Sequence, residues 1–142
     1  MRCAIQKTIY GERGGQIESY PIEECMHCDE RGWVLFPWGK KDADIDPKTI
    51  HIVRSRPGAT RGNHYHPRVA EWLCPLEGEG LLKWKSPSGE LQELHLEAQT
   101  RCVRILPGVP HAVINLGPGD LLLMAVRERD PAGDLSVPEK IA

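Results

Sequence analysis

The sequence predicts an all-β fold, a barrel or sandwich of short strands, on three observations. Short β-prone runs recur between 14 scattered glycines and 12 prolines. No long stretch places apolar residues at helical spacing. The chain has 142 residues, the usual size of one domain with a buried core.

Residues 1–30 differ in character from the rest and hold Gly14-Gly15 and three cysteines. They are expected to form an N-terminal arm or edge strands, packed on the barrel or on a second subunit. Inside the arm, Pro21-Ile22-Glu23-Glu24 is the best short helix candidate of the chain. Residues 31–130 carry the strand signals. The runs are Ile50-His51-Ile52-Val53, Trp72-Leu73-Cys74, Leu81-Leu82-Lys83-Trp84, Leu94-His95-Leu96, Cys102-Val103-Arg104-Ile105, Ala112-Val113-Ile114 and Leu121 to Val126. Ser86-Pro87-Ser88-Gly89 and Gly117-Pro118-Gly119-Asp120 have turn chemistry, and each is expected to join two antiparallel strands. Residues 131–142 open with Pro131-Ala132-Gly133-Asp134 and are expected to form a loosely ordered tail.

Composition narrows the function classes. The formal net charge is −2, from 18 basic and 20 acidic side chains. Such a balance gives no field that would gather nucleic acid or a membrane surface. The longest strongly apolar run, Leu121 to Val126, is far too short to span a bilayer. Met1 to Gly15 lacks the apolar core of a signal peptide, so a cytoplasmic protein is expected. The five cysteines (Cys3, Cys25, Cys28, Cys74 and Cys102) are odd in number and read as reduced thiols. Cys25-Met26-His27-Cys28 is half of a zinc spacing, but no second pair follows, so ordinary loop thiols are expected.

The informative segment runs from Gly58 to Gly78. It reads glycine, five residues, His64, one residue, His66, four residues, Glu71, six residues, Gly78. Histidines at i and i+2 of a strand share a face. If that face is the barrel interior, both imidazoles converge, and Glu71 can reach them after a bend at Pro67. A metal needs such convergence, because its affinity comes from several lone pairs aimed at one centre. Pro107-Gly108-Val109-Pro110-His111 offers a third histidine at the start of another strand, with Asn115 four residues on.

Together these two segments resemble the two motifs of the cupin superfamily. Gly58, His64, His66, Glu71 and Gly78 fit every fixed position of the first motif. In the second, Gly108, His111 and Asn115 fit, while the motif proline falls on Leu106 and Thr100 replaces an opening glycine. The resemblance implies a single-domain jelly-roll barrel holding one divalent ion on His64, His66, Glu71 and His111. Iron, manganese, nickel, copper and zinc all suit three imidazoles and a carboxylate. Asp29-Glu30-Arg31-Gly32-Trp33 is further similar to a segment of dTDP-4-dehydrorhamnose 3,5-epimerases. Arg61-Gly62-Asn63-His64-Tyr65-His66 resembles the C-terminal cupin domain of capsular-polysaccharide sugar-nucleotide reductases.

That closer resemblance implies proton chemistry next to the keto group of a nucleotide-linked sugar. The reaction needs a base for the proton and a group that stabilises the enolate oxygen. His64 and His66 are the catalytic candidates, although epimerases of this fold use a histidine without metal, so a full metal set argues against simple transfer of their mechanism. Tyr65, between them, points to the other face by strand alternation. Arg31 and Arg61 are candidates for the diphosphate, or else surface ion pairs. The expected partner is a small-molecule ligand in the barrel, and a homodimer is expected. His51 and His95 fall in strands and are candidates for the barrel mouth or for ordinary packing. Two other functions stay open: a metal-dependent dioxygenase of a small organic substrate, and a non-catalytic cupin that binds a small ligand.

Overall fold

Backbone pairing follows the β-prone runs closely. The computed structural model describes residues 7–22, 26–38, 43–133 and 135–142. Thirteen strands lie in them: β1 (Thr8–Tyr10), β2 (Ile17–Pro21), β3 (Met26–Asp29), β4 (Gly32–Leu35), β5 (His51–Ser55), β6 (Thr60–Tyr65), β7 (Glu71–Glu77), β8 (Glu79–Lys85), β9 (Leu91–Glu97), β10 (Arg101–Ile105), β11 (His111–Asn115), β12 (Leu121–Arg127) and β13 (Val137–Pro138). One sheet has the order β1-β2-β10-β7-β12-β5, a second has β13-β6-β11-β8-β9, and β3-β4 is a separate hairpin. The architecture is a cupin jelly roll.

Strand alternation builds the core. Leu121, Leu123 and Ala125 of β12 are buried and in phase, as are Leu82 and Trp84 of β8. They meet Ile17, Leu73, Leu96, Val103 and Ile105 in one apolar cluster. The outer face of the six-stranded sheet carries a second cluster, Ile22, Cys74 and Cys102, with Met26 and Leu35 of the hairpin packed on it. Cys28 is an exposed free thiol, and Cys74 and Cys102 are buried free thiols. Cys3 and Cys25 lie outside the described residues.

Three local expectations change. The segment expected as a short helix instead enters β2, which ends at Pro21; Glu23 and Glu24 lie outside the described residues. Ile17 and Ser19 are buried at period two, and their backbone pairs with Ile105 and Val103 of β10. That ladder outweighs a weak helix signal. The turn 117–120 does not close a hairpin but carries the chain from β11 in one sheet to β12 in the other. Asn115 ties it: its amide donates to the carbonyls of Ser55 and Gly119, both at 2.9 Å, and its Oδ1 accepts from the Gly117 N–H at 2.9 Å. Gly78 packs against the same turn, where a Cβ would sit 2.6 Å from the Asp120 carbonyl.

The tail is also docked rather than loose. Val137 and Pro138 pair with Tyr65 and His64. Asn63 Oδ1 accepts from the N–H of Ile141 (2.7 Å) and of Ala142 (3.0 Å). A side chain on β6 thus supplies bonds that the tail sequence does not advertise. Among the described residues no helix is long and apolar enough to cross a membrane.

Candidate functional site

Glu71 opens β7 and His111 opens β11, so both face the interior at one end of the barrel. His64 sits directly opposite His111 across the β6–β11 ladder. Its ring centroid is 4.9 Å from that of His66 and 5.0 Å from that of His111. The Gly108 N–H donates to the His66 carbonyl at 2.8 Å, which joins the two histidine segments directly. Donor atoms of His64, His66 and Glu71 all lie within 4.8 Å of one another. His111 Nε2 is 3.2 Å from Glu71 Oε1, and His66 Nε2 is 3.4 Å from Glu71 Oε2. The four residues expected from the motifs therefore converge.

The tautomers follow from the backbone. His66 Nδ1 lies 3.1 Å from the Leu135 carbonyl and His111 Nδ1 lies 2.9 Å from the Val109 carbonyl. A carbonyl only accepts, so each Nδ1 carries a hydrogen and each Nε2 is turned to the carboxylate. These contacts are attractive only with a cation among them, either an added proton or a metal ion. Leu135 belongs to the docked tail, so the tail helps orient a site residue.

Glu71 is 5% exposed, and its second oxygen also takes Arg127 Nη1 at 3.4 Å. Burial alone would raise its pKa, but the hydrogen bonds from His111 and His66 outweigh burial and hold it below the usual carboxylate range. Burial pushes His64 below the ordinary imidazole value, and the neighbouring His111 adds to that. For His66 burial acts downward too, but the bond to Glu71 and its charge outweigh it and raise the value.

A cavity of about 230 Å³ opens onto this cluster. Val53, Leu73, Val113, Leu123 and Ala125 form its apolar wall, and His51, Arg61 and Arg127 bring further polar groups. Arg61 is three residues from His64, which strand alternation would put on the opposite face. Arg61 pairs with Val113, Gly62 with Ala112 and His64 with His111, so Asn63 is an extra residue in β6. This bulge, with Gly62 at φ +96° and Asn63 at φ +55°, turns Arg61 and His64 to the same interior. A Cβ on Gly62 would also sit 3.0 Å from the His111 carbonyl. Gly62→Ala is expected to cost about 2 kcal/mol or more, from the positive φ and the close approach together. Urea unfolding measures it, and a cost near zero would show that the bulge is not needed.

The two candidate arginines separate. Arg61 donates from Nε to Ser55 Oγ at 3.1 Å and has no carboxylate partner among the described residues. It also borders a groove of about 510 Å³ with Arg54, Arg56, Ala59 and Asp120. Arg31 lies at the tip of the β3–β4 hairpin, exposed, with its Nε 3.1 Å from Asp29 Oδ2. It is not among the residues that line the cavity. Arg127 was not singled out from the sequence, although it continues the inward phase of Leu121, Leu123 and Ala125. Its strand end is fixed from outside: Glu128 accepts from Trp72 Nε1 at 2.8 Å and from Arg104 Nε at 2.6 Å.

Comparison with known proteins agrees with this architecture. Residues 27–129 match the polysaccharide biosynthesis C-terminal domain. No curated protein matches the chain. Among solved structures, the capsular polysaccharide assembling protein CapF from Staphylococcus aureus is similar at 24% identity and TM-score 0.59, over 82% of this chain and 34% of that one. The chain thus spans about a third of CapF. NovW, a 4-keto-6-deoxy sugar epimerase from Streptomyces spheroides, is similar at 16% identity and TM-score 0.68, over 93% and 73%. QdtA, a sugar 3,4-ketoisomerase from Thermoanaerobacterium thermosaccharolyticum solved with TDP, is similar at 22% identity and TM-score 0.66, over 84% and 87%. At these identities the likeness concerns the fold, whereas the domain match spans most of the chain. The protein belongs to the polysaccharide biosynthesis C-terminal domain family of cupins.

Proposed function

We propose that this domain binds one divalent metal ion on His64, His66, Glu71 and His111, and that it acts on a nucleoside-diphosphate keto sugar. The reaction is epimerisation or isomerisation at a carbon next to the carbonyl. The observation that carries the reading is a buried donor cluster opening into a small apolar cavity with a basic mouth. Both Nδ1 atoms of His66 and His111 are committed to carbonyls, which is how metal-binding imidazoles are commonly held. The bound ion would supply Lewis acidity for the carbonyl oxygen.

The chain's own residues account for the other requirements. Three neutral imidazoles, one carboxylate and a divalent ion would leave about one positive charge at the cavity floor. Arg127 adds a permanent charge beside Glu71. Arg61, Arg54 and Arg56 surround the adjoining groove against one acid, Asp120, which pairs with Arg54. That balance suits a diphosphate, while the apolar wall suits a deoxygenated sugar face and limits water. NovW and QdtA act on sugars of this chemical kind, which supports the reading by analogy.

Isothermal titration with TDP- and UDP-linked 4-keto sugars tests it. Binding is expected to weaken about tenfold in Arg61→Ala, the scale of one charge-assisted hydrogen bond. Inorganic phosphate at the same concentration is expected to bind far more weakly. Absence of heat with every nucleotide sugar, in metal-loaded protein, would sink the proposal.

A further inference from the structure

We infer that Asn63 is a positioning residue for the donor cluster: it clasps the tail 135–142 and so holds the Leu135 carbonyl against His66. The inference rests on the reading just given and names what keeps that site assembled. Asn63 makes four hydrogen bonds to the tail. Its Oδ1 accepts from the Ile141 N–H at 2.7 Å and from the Ala142 N–H at 3.0 Å. Its Nδ2 donates to the Ala142 carbonyl at 3.0 Å, and its own carbonyl accepts from the Glu139 N–H at 2.8 Å.

The tail runs antiparallel to β6 along the outer edge of the five-stranded sheet. Glu139 meets Asn63, Pro138 and Val137 pair with His64 and Tyr65, and the Leu135 carbonyl meets His66 Nδ1 at 3.1 Å. Before that contact, Arg68 holds the Asp130 carboxylate and the Gly133 carbonyl, both at 2.9 Å. The contact with His66 therefore lies between two clamps, one at Arg68 and one at Asn63.

The two buried histidines differ in what orients them. His111 Nδ1 donates to a carbonyl two residues away, which its own turn presents. His66 Nδ1 donates to a carbonyl 69 residues away in sequence. The ring of His66 thus depends on the docking of a distant segment, and that of His111 does not. Loss of the Leu135 acceptor would make the present orientation of a ring only 4% exposed unfavourable. Its Nε2 would then leave its place 3.4 Å from Glu71 Oε2. Asn63 is also the extra residue of the β6 bulge, at φ +55°, a backbone region that asparagine tolerates. One position turns Arg61 and His64 inward through the backbone and fixes His66 through the tail.

The test uses the full chain, with zinc as the probe in competition with a chromophoric chelator. Asn63→Gly suits the left-handed backbone and removes the three side-chain bonds. The double variant Glu139→Pro/Ile141→Pro removes two tail N–H donors and leaves β6 unchanged. Each is expected to bind zinc about 10-fold more weakly, the scale of losing a partner behind a ligand. Asn63→Asp keeps the acceptor for the tail and is expected to stay close to the wild type. In the metal-free wild type, low-field proton NMR is expected to show the Nδ1 hydrogens of both His66 and His111. In the two weakened variants the His66 signal is expected to vanish by solvent exchange while the His111 signal stays. Wild-type zinc affinity in either variant would overturn the inference, as would a persistent His66 signal. Loss of both ring signals together would also overturn it, because that marks general loosening. If the wild-type protein binds no divalent ion, the proposed function fails, and the His66 signal alone decides the role of Asn63.

Discussion

Glu71→Gln is expected to lower the affinity for the divalent ion at least about 100-fold, beyond the loss seen when a residue behind a ligand is changed. Glu71 supplies the sole negative charge of the cluster and both of its oxygens are engaged, with His111, His66 and Arg127 around them. Glutamine keeps the shape but carries no charge, so it is a weaker ligand for the ion and no counter-charge for Arg127. Without the carboxylate the guanidinium of Arg127 loses a buried counter-charge, so stability falls as well, by about 3 kcal/mol in the metal-free protein. Elemental analysis after dialysis reads the first effect, and urea unfolding with and without added metal reads the second. Unchanged metal content would show that the ion, if one binds, sits elsewhere.

Trp84→Ala is expected to cost about 3–5 kcal/mol, which for a chain of this size lowers the melting temperature on the order of 10 °C. Trp84 is 1% exposed and packs in the central cluster with Leu82 and Leu96. It also faces His111 across the β8–β11 ladder. The cavity left by the indole would therefore adjoin a site residue, and His111 would lose the wall that limits its ring. Weaker metal binding is expected to accompany the loss of stability. Trp84→Phe keeps an aromatic ring there and is expected to be milder in both respects. Scanning calorimetry with elemental analysis measures both, and a stable Trp84→Ala variant would contradict the packing described.

Much of this was legible in the residues before any coordinates. The strands of the barrel announce themselves as short β-branched and leucine-rich runs, because half-buried pleated surfaces favour those side chains. His64 and His66 obey simple alternation, and their spacing to Glu71 reflects the chain's reversal from β6 into β7. The second histidine segment is less regular, yet His111 stands opposite His64. What could not be read depends on interactions distant in sequence. Arg61 faces the cavity only because Asn63 is an extra residue in β6. Arg127 follows an apolar run and looks like its polar end, although counting by twos from Leu121 would have placed it inside. The tail is held by Asn63, whose partners lie far along the chain. Arg31, in a phrase similar to that of known epimerases, sits on a hairpin where it pairs with Asp29, the ion-pair alternative of the two that the sequence left open.

The most direct test is to incubate the metal-loaded protein with TDP-4-keto-6-deoxyglucose and other TDP- and UDP-linked 4-keto sugars in deuterium oxide. Deuterium gained next to the carbonyl, dependent on the protein and lost in Glu71→Gln, is the expected result. Nucleotide sugars that bind but emerge with no deuterium would contradict the proposed chemistry and leave a cupin that binds its ligand without turning it over.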